Sequence, residues 1–289
     1  MKSQEKRPTP DQIPGQKLPY PAKQSEMTPQ PDSDLSNYQP ANKLKDKVAI
    51  ITGADSGIGR AVAIAYALEG AQVTITYNKN DEDAQTTQVE VEKRGGQCLI
   101  VKMDVRKPED CQDTVKQTLD KFGQLNILVN NAAFQMTQEK LEDLTEVQFR
   151  QTLETNIFGY FYMVKASLPH LSEGDVIINT GSIVGKIGKG MLVDYATSKG
   201  AVHAFTKSLA LNLAERQIRV NAVVPGPVWT PNIPATMPIE KVDNYDTDNA
   251  LERAAQPEEL APAYVFMAAQ DSSFVTGSLL DVTGGQLSS

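Results

Sequence analysis

The stretch "KVAIITGADSGIGR" (47–60) decides how this chain folds. It opens as a short apolar run, passes through a loop containing Gly53, Gly57 and Gly59, and enters a helical pattern that continues as "GRAVAIAYALEGA" (59–71). Glycine reaches positive φ without penalty and lets another molecule approach the backbone closely. A helix that starts just after such a loop offers free amide donors and the positive end of its dipole, which suits a pyrophosphate. Tight strand-to-helix turns need glycine too, so the residues alone say little. Their place after the first strand of an alternating chain is what points to a dinucleotide.

Outward from this stretch the alternation continues. Short apolar or β-branched runs at 71–77, 97–105, 125–133, 174–182, 218–226 and 278–285 read as strands. Helical spacing between them covers 82–96, 108–123, 144–171 and 194–215, with Thr145 as a cap for the third of these. Strands alternating with helices predict βαβ units and a mostly parallel sheet. The strands are nearly continuous in apolar character, as expected when helices cover both faces. The predicted fold class is α/β, a Rossmann-type doubly wound sheet in a single domain spanning 45–289.

Residues 1–44 differ. They hold eight of the 17 prolines, spaced by Gln, Lys and Asp. Proline fixes φ and removes a backbone donor, so an extended, largely uncoupled arm is expected. Such an arm can also wrap a neighbouring subunit.

The 289 residues carry a net charge of −8, which gives nucleic-acid binding no electrostatic support. The two cysteines, Cys98 and Cys111, form no CxxC pair, so no disulfide framework organises the fold. Two histidines, His170 and His203, are too few for a zinc site and read as structural. The start lacks a secretory apolar core and no run approaches a membrane span. The expectation is a soluble cytoplasmic protein without metal.

One pair carries the chemistry. In "DYATSKGAVHAF" (194–205), Tyr195 and Lys199 stand at i and i+4, so one helix face presents both. A free phenol has a pKa near ~10, and a neighbouring ammonium favours the phenolate. A proton-transferring group works best when its pKa approaches the working pH. The pair therefore makes sense if Tyr195 exchanges a proton with an alcohol or carbonyl. Ser182 lies 13 residues earlier at the end of a strand, and in doubly wound sheets ligands collect at the carboxyl ends of the strands. It can orient a substrate oxygen, or simply cap a turn.

The glycine spacing is Thr52-Gly53-x-x-x-Gly57-Ile58-Gly59, and it resembles the first loop of the short-chain dehydrogenase/reductase family. "NNAA" (130–133) resembles that family's turn after the fourth strand, with Ala133 in place of glycine. Asn156, Ser182, Tyr195 and Lys199 match its catalytic residues, and "VVPGPVWTP" (223–231) resembles its cofactor-closing loop. The likeness covers about residues 45–285. With the Pro-rich arm it extends to a bacterial subgroup of chains of this length. The resemblance implies strand order 3-2-1-4-5-6-7. It implies hydride transfer between nicotinamide and an alcohol or carbonyl, with Tyr195 as general acid/base and Lys199 also holding the nicotinamide ribose. Asn156 would support a water-linked proton path to Lys199, or serve as a helix kink or buried hydrogen bond. Cofactor contacts are implied for Gly53, Asp55, Ser56, Gly57, Ile58, Tyr77, Asn78, Lys79, Asp104, Val105, Asn131, Ala132, Ala133, Tyr195, Lys199, Pro225, Gly226, Val228 and Thr230.

The choice between NAD and NADP stays open. No Asp or Glu stands at Thr76, Tyr77 or Asn78, and Lys79 follows, which leans toward NADP. Asp55 leans the other way, because it would repel a ribose phosphate. Residues 229–261, with Trp229, Ile233, Met237 and the polar "DNYDTDN" (243–249), are expected to form a mobile lid over the substrate. A sugar, a polyol, or a small ketone or aldehyde is compatible with it. Phe134, Tyr162 and Met163 read more as core than as pocket. The resemblance implies a homotetramer paired through helices 144–171 and 194–215. The alternative function is an NAD(P)-binding sensor or scaffold without turnover; such relatives often lose the tyrosine or lysine, and here both are intact.

Overall fold

The computed structural model describes residues 7–243, 245 and 248–286. Asn244, Asp246 and Thr247 of the expected lid lie outside the described residues. The alternation becomes β1 (Val48–Ile51), α1 (Gly57–Leu68), β2 (Gln72–Tyr77), α2 (Asp81–Glu92), β3 (Cys98–Lys102), α3 (Pro108–Phe122) and β4 (Ile127–Asn130). Then follow α4 (Glu146–Leu153), α5 (Gly159–Ser167), β5 (Val176–Thr180), α6 (Val184–Ile187), α7 (Val193–Leu213) and β6 (Arg219–Pro225). The chain closes with α8 (Asn232–Thr236), α9 (Ile239–Val242), α10 (Pro257–Ala268) and β7 (Leu279–Val282).

All seven strands run parallel in the order 3-2-1-4-5-6-7, as the resemblance implied. Side chains alternate across a strand, and the apolar runs feed both faces. Ala49, Ile51, Ile127 and Val129 pack on one side with Tyr66 of α1 and Tyr264 of α10. Ile50, Leu128 and Ile177 pack on the other with Val115 of α3, Met163 of α5 and Ala210 of α7. Burying each large apolar side chain contributes about 1.5–3 kcal/mol. This two-faced burial is why the strands read as unbroken apolar runs.

Three expectations are corrected. The helix expected over 144–171 is divided: a π-helical turn, Glu154–Phe158, joins α4 to α5. It turns Asn156 inward, where Oδ1 accepts from the Phe134 amide at 2.7 Å and Nδ2 donates to the Phe134 carbonyl at 2.9 Å. Second, residues 257–261 of the expected lid begin α10, a core helix whose N-terminus is closed by a Gln256/Glu259 capping box.

The third correction concerns the arm. From Arg7 to Leu44 it is docked rather than uncoupled. Ile13, Met27 and Trp229 share a small core with Ile233, Val242 and Tyr245. The Trp229 indole N–H donates to the Pro29 carbonyl at 2.8 Å. Lys17 donates to the carbonyls of Ala235 at 3.1 Å and Met237 at 2.9 Å. Arg7 pairs with Asp32 and Glu258. Proline denies the arm its own ladder, so its carbonyls and apolar side chains find partners on the domain instead.

Candidate active site

A cavity of about 460 Å³ runs along the carboxyl ends of the strands. The glycine loop lies along its middle. Gly53 and Gly57 hold φ of +61° and +54°, values that favour glycine. Gly59 is needed for close approach: a Cβ there would sit 2.4 Å from the Gly53 carbonyl oxygen. Arg60 pins the loop from behind, donating to the Asp55 carbonyl at 2.6 Å and pairing with buried Asp83 at 3.0 Å. Burial lifts the Asp55 carboxyl to about 6.

Every residue singled out from the sequence for cofactor contact lies on the walls of this cavity. Tyr77, Asn78, Lys79, Asp104 and Val105 close one end, around the tips of β2 and β3. Asn131, Ala132 and Ala133 follow β4. Pro225, Gly226, Val228 and Thr230 stand on the side of β6. Ser182, Tyr195 and Lys199 meet on the same walls. Asn156 does not reach them: its amide is committed to Phe134 and to Ser198 Oγ at 2.9 Å. It positions the loop after β4 and the helix carrying Tyr195.

The electrostatics of the pair differ from the sequence expectation. Lys199 is 1% exposed. Its ammonium donates to the Thr180 carbonyl at 2.7 Å and lies 3.4 Å from the Tyr160 hydroxyl. Burial pulls its pKa down to about 7. Tyr195 is pushed up to about 12 by burial, opposed by a hydrogen bond with Ser182. Desolvation disfavours the charged form of each group, so it raises the phenol and lowers the ammonium. The Lys199 Nζ stands 5.5 Å from the Tyr195 ring centroid, so the two share a face as i, i+4 spacing requires.

Other site residues were not legible in the sequence. His203 is buried beside Ser182: its Nε2 accepts from the Ser182 amide at 3.4 Å, and burial together with Lys199 lowers its pKa to about 4. A neutral ring is needed for that acceptor role. Asp194 accepts from its neighbour's amide, Tyr195 N–H, at 2.8 Å and from Thr152 Oγ1 at 2.6 Å, which fixes the start of α7. Phe134 lines the cavity, whereas Met163 is core and Tyr162 packs against it. Trp229 is fully buried beneath the arm, while Ile233 and Met237 face the cavity. Gln24 of the arm accepts from the Gly57 amide at 2.8 Å. Ser56 makes no cap of its own, so Gln24 supplies the first-turn partner that α1 lacks, worth about 1 kcal/mol. Cys98 and Cys111 are buried thiols pushed up to about 12.

A dinucleotide suits the residues present. The first turn of α1 faces the cavity with more amides than its own helix can satisfy. Polar groups line the ribose ends. Fold and cavity together define a dinucleotide-binding oxidoreductase of the doubly wound class.

Comparison with known proteins agrees. A family model described as "Enoyl-(Acyl carrier protein) reductase" matches residues 53–286. Uncharacterized oxidoreductase YhdF of Bacillus subtilis is 48% identical over 280 residues, 97% of each chain. The NADPH-dependent aldehyde reductase 1, chloroplastic, of Arabidopsis thaliana is 44% identical over 272 residues, 92% of this chain and 94% of its own. A solved short chain dehydrogenase from Burkholderia cenocepacia in complex with NADP superposes with TM-score 0.79 at 32% identity, covering 84% of this chain and 98% of its own. The chain belongs to the short-chain dehydrogenase/reductase family and is an NAD(P)-dependent oxidoreductase. Among the described residues, no helix is long and apolar enough to cross a membrane.

Proposed function

We propose that this chain interconverts a small hydroxylated compound and its carbonyl, with Tyr195 as the proton-transferring group. Bound nicotinamide supplies or accepts the hydride. The observation that carries the reading is that Ser182, Tyr195 and Lys199 meet on one cavity whose middle is the glycine loop. Ser182 holds the substrate oxygen beside the Tyr195 hydroxyl. Lys199 holds ribose hydroxyls, and with its pKa drawn toward 7 it can relay a proton inward. Asn156 and His203 position this group without touching the substrate. A phenol near 12 still gives its proton readily to a developing alkoxide, whose parent alcohol is about as weak an acid as water at ~15.7. Tyr195 is thus the proton donor in carbonyl reduction and the acceptor in alcohol oxidation.

The substrate class follows from relatives and pocket together. One relative is named NADPH-dependent aldehyde reductase 1, and another, from Daucus carota, glucose and ribitol dehydrogenase. We read the substrate as an aldehyde or the matching sugar or polyol. NADP(H) is favoured by the absence of a carboxylate at 76–78 and by exposed Lys79 on the cavity wall. We read residues 45–289 as the catalytic domain of a cytoplasmic enzyme, with 1–44 as its arm. Exposed Val147, Phe161 and Leu211 support pairing into a homotetramer through α4, α5 and α7. Light scattering tests the assembly.

Tyr195→Phe tests the chemistry. Turnover should fall by about 10²–10⁴-fold with cofactor affinity retained. Undiminished turnover of aldehydes by this variant would end the reading.

A further inference from the structure

Tyr20, Pro21 and Ala22 stand on the cavity wall together with Asp55, Tyr77 and Asp104. Tyr20 packs edge-on against Phe134, with ring centroids 5.5 Å apart and planes at 88°. It shares that wall with Asp55 of the glycine loop and with Arg106 just after β3. A flexible tail would not hold this place, and the anchors are specific. The Ala22 carbonyl accepts from Asn80 Nδ2 at 2.9 Å. The Gln24 amide N–H donates to Asp83 Oδ2 at 2.9 Å, while its side-chain oxygen accepts from the Gly57 amide at 2.8 Å. Gln24 and Asp83 are each 4% exposed. Segment 20–24 is thus tied both to the glycine loop and to the β2–α2 turn, the two elements that flank a bound dinucleotide.

We propose that Tyr20 is a cofactor-contacting residue supplied by the arm, and that the strap Tyr20–Gln24 must lift for the dinucleotide to exchange. This rests on the dinucleotide lying in the cavity described above. An aromatic ring offers a broad apolar face to a sugar, a base or a nicotinamide without demanding one orientation. The Gln24–Gly57 bond sets how often the strap opens, because it ties the arm to the loop the cofactor must reach. The strap slows release of either nicotinamide cofactor, since it lies across the cleft that both would enter.

The test is stopped-flow release of NADPH from the full-length chain, followed by loss of its fluorescence on displacement, with the equilibrium Kd and the apo thermal midpoint measured in parallel. Tyr20→Ala should release NADPH about ten-fold faster. Tyr20→Phe should behave as wild type, because the ring and not the hydroxyl makes the contact. Gln24→Leu should speed both binding and release. Tyr38→Phe loosens the arm far from the cavity, where Tyr38 bonds Glu69, and should leave release unchanged. If Tyr38→Phe speeds release as much as Tyr20→Ala, the effect is general loosening and the Tyr20 contact is refuted. Ser56→Glu puts a second carboxylate at the phosphate loop and reports on the cleft itself. If Ser56→Glu loses NADPH affinity while Tyr20→Ala releases it as wild type does, the strap inference falls and the cleft stands. If Ser56→Glu binds NADPH unchanged, the cleft reading falls and the strap with it.

Discussion

Lys199→Met should make the protein relatively more stable at neutral pH than at alkaline pH, and the size of that trend follows from burial. The Lys199 ammonium is 1% exposed and is held by the Thr180 carbonyl and the Tyr160 hydroxyl, with no carboxylate partner among the described residues. Burial takes its pKa from 10.5 to about 7. In the unfolded chain the lysine keeps its proton up to about pH 10.5; in the folded chain it gives it up near pH 7. Between those values the unfolded state binds more protons, so wild-type stability rises with pH through that window. At one pKa unit per 1.36 kcal/mol, the rise from pH 7 to 9 amounts to about 2 kcal/mol. Methionine keeps the length of the side chain and removes the proton, so the variant lacks this gain. The Thr180 carbonyl retains a bond from the Tyr160 hydroxyl, at 3.3 Å. The assay is urea unfolding of both proteins at pH 7, 8 and 9 without cofactor. Cys98 and Cys111 complicate each curve alone, because their raised folded pKa values take stability away above the ordinary thiol range. They are common to both proteins and cancel in the difference. Parallel stability curves for wild type and Lys199→Met over this range would refute the reasoning, and would mean that the ammonium stays charged in the fold.

The other predictions address the site and the arm. Alcohol oxidation needs a phenolate, so its kcat/KM should climb steadily from pH 7 to 10, while aldehyde reduction stays level below pH 9; matching profiles would contradict the raised Tyr195 pKa. Lys79→Ala should weaken NADP(H) binding about ten-fold and leave NAD(H) nearly untouched, by fluorescence titration, and equal losses would remove Lys79 from cofactor selection. Ile13→Ala opens a hole beneath Trp229 in the core shared by arm and lid; it should cost about 2–5 kcal/mol in calorimetry if that core unfolds with the domain, and nearly nothing if the arm detaches on its own.

The sequence by itself determined the sheet and the glycine loop, and it singled out Ser182, Tyr195 and Lys199, which the fold brings onto one cavity. These are local matters. Apolar runs of strand length, glycines at a strand-to-helix turn and an i, i+4 pair are each decided by residues close together in the chain. Asn156 was visible as well, but its partner Phe134 lies 22 residues away, so its work as a clamp was not. Only the tertiary structure decided the electrostatics and the arm. The opposite shifts of Tyr195 and Lys199 follow from burying an acid and a base together, and burial is a property of the assembled fold. His203 came into view only because α7 lays it against the Ser182 amide. The arm's prolines announced irregular backbone correctly. Where that backbone would settle depended on carbonyls and apolar side chains finding Trp229, Asp83 and Gly57 across the molecule, contacts with no period and no spacing to read.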